Sequence, residues 1–350
     1  MPNFSPEELR GFARRLLKAA GASPEETETV ADVLVSANLA GHDSHGVIRI
    51  EQYVRMVREG RIVPGAPFEI VRRAPAAALV DGHWGFGAVI ASRAMRLAME
   101  MGRSTGVAAV SVRGCNHVSR LGHYVLMAAE AGLAGFMTAN NHGGGRWVAP
   151  WGGTERRLST NPLAFAAPTG RRPVLVDITT STVAEGKVRV LRNKGLSMPE
   201  GWAIHPDGSP LTDPAHMYGP PYGSLLSFGG MAGHKGFGLS MMVELLSGAL
   251  SGAGCTGAAE RPPGNALFIL VVDPDAVGSL EAFQAEAAGL VEWVKSSAPV
   301  PGGAGVMTPG EPEFREEERR RASGIPLDDE TWRQLRELAA GLGVPEPVMM

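Results

Sequence analysis

Apolar and polar positions fall into two regimes along this chain. The first 60 residues keep a helical period, with Val30, Val33, Leu34 and Ala37 forming one stripe. Ser5-Pro6-Glu7-Glu8 and Ser23-Pro24-Glu25-Glu26 repeat one start signal: a capping serine, proline in the first turn and glutamate three residues on. Helices are therefore expected over 6–20 and 24–39, a third over 46–59, and no strand among them. After Pro64–Pro67 the pattern shortens. Phe68–Arg72, Ala76–Asp81, Val107–Val112, Ala134–Ala139, Leu163–Ala167, Pro173–Ile178 and Ala266–Val272 read as strands. Helices are expected from Gly87 to about Met101, after Ser119 as N-cap, and over Leu239–Leu250 and Ser279–Val294. Val107–Val112 is a β-branched run of the kind buried in a parallel sheet. Pro206–Pro221 carries no readable pattern. Glu311–Arg321 is densely charged and Asp328–Leu342 matches the amino-terminal helices, on which it is expected to pack. The fold class is α/β (α+β) with a mixed sheet. Residues 1–65 form a helical subdomain joined by the carboxy-terminal helices of 311–350, and 66–310 form the mixed α/β domain.

Composition narrows the function. With 33 basic against 36 acidic residues and no long basic run, neither nucleic acid nor an anionic membrane is the expected partner. The 46 glycines accompany 44% hydrophobic residues, which suits tight loops around a ligand rather than disorder. Two cysteines, Cys115 and Cys255, make no disulfide framework. The charged amino terminus has no apolar signal core and no long apolar run follows, so a soluble, cytoplasmic protein is expected.

Candidate chemistry gathers where strands end. His117 follows the Val107–Val112 strand, at the edge where α/β sheets collect their reactive groups. Imidazole titrates nearest neutrality, so His117 is a candidate acid/base, although a loop histidine can also simply cap a helix. Upstream, His42-Asp43-Ser44-His45 precedes Arg49. If a helix begins at Ser44 or His45, His45 and Arg49 share a face, and a guanidinium beside an imidazole suits an anionic substrate. The competing view is a polar helix start with a solvated arginine. Asn140–Gly145, Ser159–Pro162 and Asp177–Ser181 are further polar strand ends, suited to a hydroxyl-rich or phosphate-bearing ligand or to ordinary turns. Lys235 lies in a glycine-rich loop feeding a helix, where a cation opposes the macrodipole unless a ligand anion compensates. Gly82–Gly87 is no dinucleotide fingerprint, since Ile90 replaces the third glycine and no acidic residue follows at the required place. A P-loop is absent. A metal-dependent hydrolase or lyase built on His42, Asp43, His45, His117, His123 and His142 is the main rival, without a standard helical ligand motif. A scaffold without turnover is the third possibility.

Taken together, Ser44-His45-Gly46 with Arg49 and Tyr53, Asn116-His117 with Arg120-Leu121-Gly122 and Tyr124, and Thr160-Asn161-Pro162 resemble the type 2 malate/L-lactate dehydrogenase family. Asp177-Ile178-Thr179-Thr180-Ser181, Gly186-Lys187, Lys235-Gly236 with Gly238-Leu239, and Pro309-Gly310-Glu311 extend the match over nearly the whole chain. That family also holds ureidoglycolate, sulfolactate and diketogulonate oxidoreductases and cyclic imino-acid reductases. The resemblance implies a homodimeric oxidoreductase on a non-Rossmann fold, using NAD or NADP, with a small 2-hydroxy or 2-oxo acid as substrate. Reduction of a cyclic imino acid or oxidation of ureidoglycolate is the alternative. It implies His117 as acid/base, and Ser44, His45 and Arg49 around the substrate. Asn141, Thr160, Asp177, Ile178, Thr179, Lys235 and Gly310 are implied as cofactor contacts, with a catalytic role as the other option for Asp177. No metal is implied. The chain departs from the family at Ser119, where glycine is usual, and at His123, where acidic or small residues are common.

Overall fold

A computed structural model describes residues 1–257, 259–303 and 305–350. A two-residue strand β1 (Asn3–Phe4) precedes helices α1 (Pro6–Ala19), α2 (Pro24–Leu39) and α3 (Arg49–Arg58). The repeated start signal works as the sequence suggests. Glu8 N donates to Ser5 Oγ at 3.1 Å, and Ser23 and Glu26 close a reciprocal capping box. The third helix begins at Arg49 rather than Gly46, because the buried Asn38 amide holds the preceding turn. Asn38 Nδ2 donates to Asp43 Oδ1 at 2.7 Å and Asn38 Oδ1 accepts from Val47 N at 2.9 Å. Residues Asp43–His45 consequently form a single 3-10 turn. A Cβ on Gly46 would collide with that amide.

Next come β2 (Glu69–Ala74), β3 (Ala77–Gly85), α4 (Gly87–Thr105), β4 (Val107–Cys115), α5 (Gly122–Glu130), β5 (Ala134–His142), β6 (Leu163–Ala167) and β7 (Val174–Ile178). After α6 (Glu185–Asn193), strands β8 (Ala203–Ile204), β9 (Pro210–Leu211) and β10 (Ser224–Leu225) make a small sheet. Its middle strand in chain order, β9, lies in the Pro206–Pro221 stretch that shows no pattern in sequence, and the other two flank it. Helix α7 (Gly233–Val243) runs on through a π-helical segment to Ala249, starting six residues before the expected Leu239. Strand β11 (Gly264–Val272) is followed by the short α8 (Pro274–Val277) and by α9 (Leu280–Lys295).

The main sheet has the order β2-β3-β4-β11-β5-β6-β7. Among the described residues, only β3 and β4 run parallel in it. Val107–Val112 thus lies in a mixed sheet, with β11 antiparallel on its other side. A strand covered on both faces reads as continuously apolar whatever its neighbours' direction. Two other expectations fail here. Asn140–His142 belongs to β5, where Asn141 faces Asn265 and His142 faces Gly264, rather than to a loop. Ser119 does not cap α5, which starts at Gly122. Its φ is +63°, and its Oγ donates to His45 O at 2.6 Å.

The chain closes with α10 (Glu311–Ser323), β12 (Ile325–Pro326) and α11 (Asp329–Leu342). β12 pairs antiparallel with β1, so a strand is present where none is expected. Trp332 of α11 lies against Phe4 and Phe12, ring centroids 4.9 and 6.0 Å away. One core runs from these residues through α2 and α4 into the sheet. A second, smaller core around Val148, Val188, Leu211 and Met217 supports the three-stranded sheet. No described helix is long and apolar enough to cross a membrane.

Candidate active site

The end of β4 is fixed first. Asn116 is buried and its Nδ2 donates to the carbonyls of Arg61, Trp84 and Gly85 at 3.1, 2.7 and 3.1 Å. His117 follows. Its Nδ1 lies 2.8 Å from the hydroxyl of Tyr53, one helical turn beyond Arg49 on α3. The Tyr53 hydroxyl is also 3.5 Å from His117 O, which it can donate to while accepting from Nδ1–H. Tyr124 Oη donates to Val118 O at 2.5 Å, and Asn265 Oδ1 accepts from Val118 N at 3.2 Å, so the turn after His117 is held from two sides.

The second imidazole comes from the 3-10 turn. His45 stacks on His117 with ring centroids 5.7 Å apart and planes 28° from parallel. Its Nδ1 is 3.0 Å from Ser44 Oγ. Arg49 Nε donates to Ser44 O at 2.7 Å and Nη1 to Gln52 Oε1 at 2.9 Å. Arg49 therefore reaches the turn through its own hydrogen bonds, rather than by sharing a helical face with His45. Helix α10 clamps the turn from behind: Arg320 Nη1 and Nη2 donate to the Asp43 carboxylate at 2.6 and 3.0 Å, and Nη1 also to Asn38 O at 2.7 Å. In front, α6 approaches so closely that a Cβ on Gly186 would stand 2.6 Å from Ser44 Cβ.

Burial, then the Arg49 charge, His42 and Arg120, pushes the His45 imidazole down to about 3. The same causes, burial first and then Arg49 and His45, hold His117 well below the usual histidine range. Both rings are thus neutral in the free protein at neutral pH. Burial raises the Tyr53 phenol, which stays protonated as a donor.

Of the residues singled out in the sequence, Ser44, His45, Arg49 and His117 meet directly. Asp177, at the end of β7, joins them at one remove: its Oδ2 accepts from Arg120 Nε and from Gly122 N, both at 2.9 Å. Ile178 is partly exposed beside it and Thr179 Oγ1 donates to Ser181 O at 3.0 Å. Thr160 O accepts from the Thr180 amide and hydroxyl at 3.0 and 3.1 Å, tying those two polar strand ends together. Asn141 sits in β5, its carbonyl accepting from Thr256 Oγ1 at 3.3 Å. Lys235 is exposed in the first turn of α7. Gly310, at φ +90°, lets the chain pass against β7, where a Cβ would lie 2.7 Å from Leu175 Cβ. No hydrogen bond among the described residues links Asn141, Thr160, Lys235 or Gly310 to the imidazole pair. Tyr53 and Arg120 carry no individual role in the sequence reading; the i, i+4 spacing of Arg49 and Tyr53 is the signal that finds the first.

The side chains that a metal site would draw on are dispersed, and three of them are paired elsewhere. His42 pairs with Glu313 at 3.3 Å, His123 with Ser36 at 2.9 Å, and Asp43 with Arg320, while His142 lies against the edge of Trp84. Among the described residues, no three His, Cys, Asp or Glu side chains come together as metal ligands would.

Known proteins resemble this chain over nearly its whole length. The malate/L-lactate dehydrogenase family profile matches residues 4–336. The chain belongs to that family. It is 39% identical to a malate dehydrogenase of Pyrococcus abyssi, over 97% of this chain and 94% of that protein. It is 38% identical to an L-sulfolactate dehydrogenase of Methanothermobacter thermautotrophicus, over 97% of each. The solved malate dehydrogenase of Pyrococcus horikoshii superposes with a TM-score of 0.90 at 34% identity, covering 98% of this chain and 96% of that one. The family member is thus a dehydrogenase with a mixed α/β fold.

Proposed function

We propose that the protein transfers hydride between NAD or NADP and a small 2-hydroxy or 2-oxo acid, with His117 as the group that takes and returns the hydroxyl proton. The carrying observation is the stacked His45–His117 pair, with Tyr53 on His117 and Arg49 bonded to the turn that carries His45. The bound nicotinamide supplies the hydride acceptor or donor. Everything else falls to side chains of this chain. Arg49 binds the substrate carboxylate through its fork. The Tyr53 oxygen accepts from His117 Nδ1–H, which leaves Nε2 bare to take the hydroxyl proton. At His45 the arrangement is reversed. Ser44 donates to Nδ1, so Nε2–H points a donor at the substrate oxygen. Reduction runs the same steps backwards, and the anionic substrate offsets the Arg49 charge that, after burial, keeps His117 unprotonated.

The residues implied for the cofactor suit a phosphate-bearing dinucleotide. Lys235 opens α7 with no acidic partner among the described residues, so its charge there is uncompensated. Gly145, at φ +62°, lies so close to Asn141 that a Cβ would strike its amide. Asn141, Thr160, Asp177 to Thr179, Lys235 and Gly310 would hold the group, away from any Rossmann crevice. Residues 1–65 with 311–350 form one unit of this enzyme and 66–310 the other. A homodimer is supported by apolar side chains left open on α7 and its extension (Met241, Leu245, Leu250) and on α9 (Phe283, Leu290, Trp293). Both cysteines stand free, in keeping with a reducing cytoplasm. A panel of 2-oxo acids and cyclic imines, each with NADH and NADPH and followed at the nicotinamide absorbance, tests the proposal. Turnover of a 2-oxo acid supports it, and turnover of none refutes it.

A further inference from the structure

Glu244 is a buried carboxylate, 3% exposed, that the proposed chemistry leaves unused. It opens the π-helical segment that continues α7. Its Oε1 accepts from Asn161 Nδ2 at 2.9 Å and from Thr256 Oγ1 at 2.7 Å. Its Oε2 accepts from Asn140 Nδ2 at 3.0 Å and from Thr256 N at 2.9 Å. Every partner is a neutral donor. A carboxylate accepts at each of its lone pairs and answers such a set in full, whereas a glutamine would turn an N–H against one of the donors. Burying a charge is a poor route to stability for its own sake. The Thr138 and Ser247 hydroxyls, 2.7 Å apart, fasten the same segment to β5 with no charge at all.

The partners of Glu244 adjoin the residues implied for the cofactor. Asn140 precedes Asn141 at the end of β5, and Asn161 follows Thr160 at φ +38°. Thr256 Oγ1 also stands 3.3 Å from Asn141 O. From there the network reaches the acid/base turn. Asn265 Nδ2 donates to Asn140 O at 2.8 Å, and Asn265 Oδ1 accepts from the amide of Val118, next to His117. Gly248 lets the π segment come this close: a Cβ there would lie 2.5 Å from Asn140 Nδ2 and 2.6 Å from Gly254 O. One side chain thus sets residues 140–141, 160–161 and 254–256 against one another, and π-helical turns recur at functional sites.

Resting on the reading of the site given above, we infer that Glu244 is a positioning residue for the cofactor. It holds Asn141 and Thr160 at the spacing that receives the dinucleotide, and it touches neither dinucleotide nor acid itself.

The test is the Kd for NADH and NADPH, read by quenching of protein fluorescence, in the wild type, Glu244→Gln, Thr256→Val and Ser247→Ala. Urea unfolding of each variant and KM for the acid at saturating cofactor accompany it. Glu244→Gln should raise the Kd of the preferred cofactor about 10- to 100-fold, as hydrogen bonds to a charged group imply. KM for the acid should stay within about twofold. Thr256→Val, which removes one of the four contacts, should raise Kd about three- to tenfold. Ser247→Ala loses a buried contact of the same segment and should lower stability while leaving Kd within about twofold. Should the glutamine variant fail to fold, Thr256→Val set against Ser247→Ala decides. An unchanged Kd in the Glu244 and Thr256 variants, or an equal rise in Ser247→Ala, overturns this inference and leaves the proposed function standing. Binding of neither NADH nor NADPH by the wild type overturns both.

Discussion

Replacing Tyr53 by phenylalanine removes one oxygen from beneath the proposed acid/base. The ring is buried, 2% exposed, and its packing survives the change, so the loss falls on the 2.8 Å contact with His117 Nδ1 and the longer 3.5 Å one with His117 O. In the free enzyme that contact joins two neutral groups and is worth about 1 kcal/mol net. During turnover His117 gains a proton, and the bond becomes charge-assisted, worth about 1.5–3 kcal/mol. Because kcat reads only the difference between the two, about 0.5–2 kcal/mol, it should fall roughly 2- to 30-fold at about 1.4 kcal/mol per tenfold. KM for the acid should stay within about twofold, since Tyr53 steadies His117 and leaves the carboxylate to Arg49. Steady-state turnover of the best 2-oxo acid at the nicotinamide absorbance reads both constants. A kcat equal to that of the wild type would refute the idea that Tyr53 fixes the working tautomer of His117.

Other perturbations probe the rest of the site. Arg49→Ala should raise KM for the acid about 10- to 100-fold with a smaller change in kcat, and an unaltered KM would place the carboxylate elsewhere. Gly46→Ala drives a Cβ into the Asn38 amide that holds the 43–47 turn; it should cost about 1–3 kcal/mol in denaturant titrations and lower kcat/KM with it. The two imidazoles also tie stability to pH. Their folded values lie below the unfolded value of about 6.5, so the unfolded chain binds the extra protons. Stability is therefore intact above about pH 6.5 and falls as the pH drops towards the His45 value, by about 1.4 kcal/mol per unit for each ring. Between pH 7 and 5, His45→Gln should lose about 2 kcal/mol less than wild type in urea unfolding, and an equal loss would contradict the depressed imidazole.

What was legible in the sequence was mostly local. The Ser5 and Ser23 start signals depend on a few neighbouring residues, and both caps form. His117 stands at a strand end because the apolar run before it and the polar break after it are adjacent in the chain. Distant partners were not legible. Strand β11 inserts between β4 and β5 from more than a hundred residues away, and nothing in Val107–Val112 records its direction. Ser119 looks like a cap because serine before a helix usually is one. Its hydroxyl instead answers a carbonyl 74 residues earlier. Arg320 shapes the Asp43–His45 turn through a contact of the same long-range kind. The family resemblance supplied what spacing lacked, by naming Tyr53 and Arg120 among its motifs without assigning them work.

The most direct test of the central claim is the turnover of His117→Ala on the acid that the wild type uses best. Loss of the proton-transferring imidazole should cut kcat by about 10²–10⁴-fold, while cofactor affinity, read by quenching of protein fluorescence with NADH or NADPH, stays near the wild-type value. Full turnover in that variant would contradict the account.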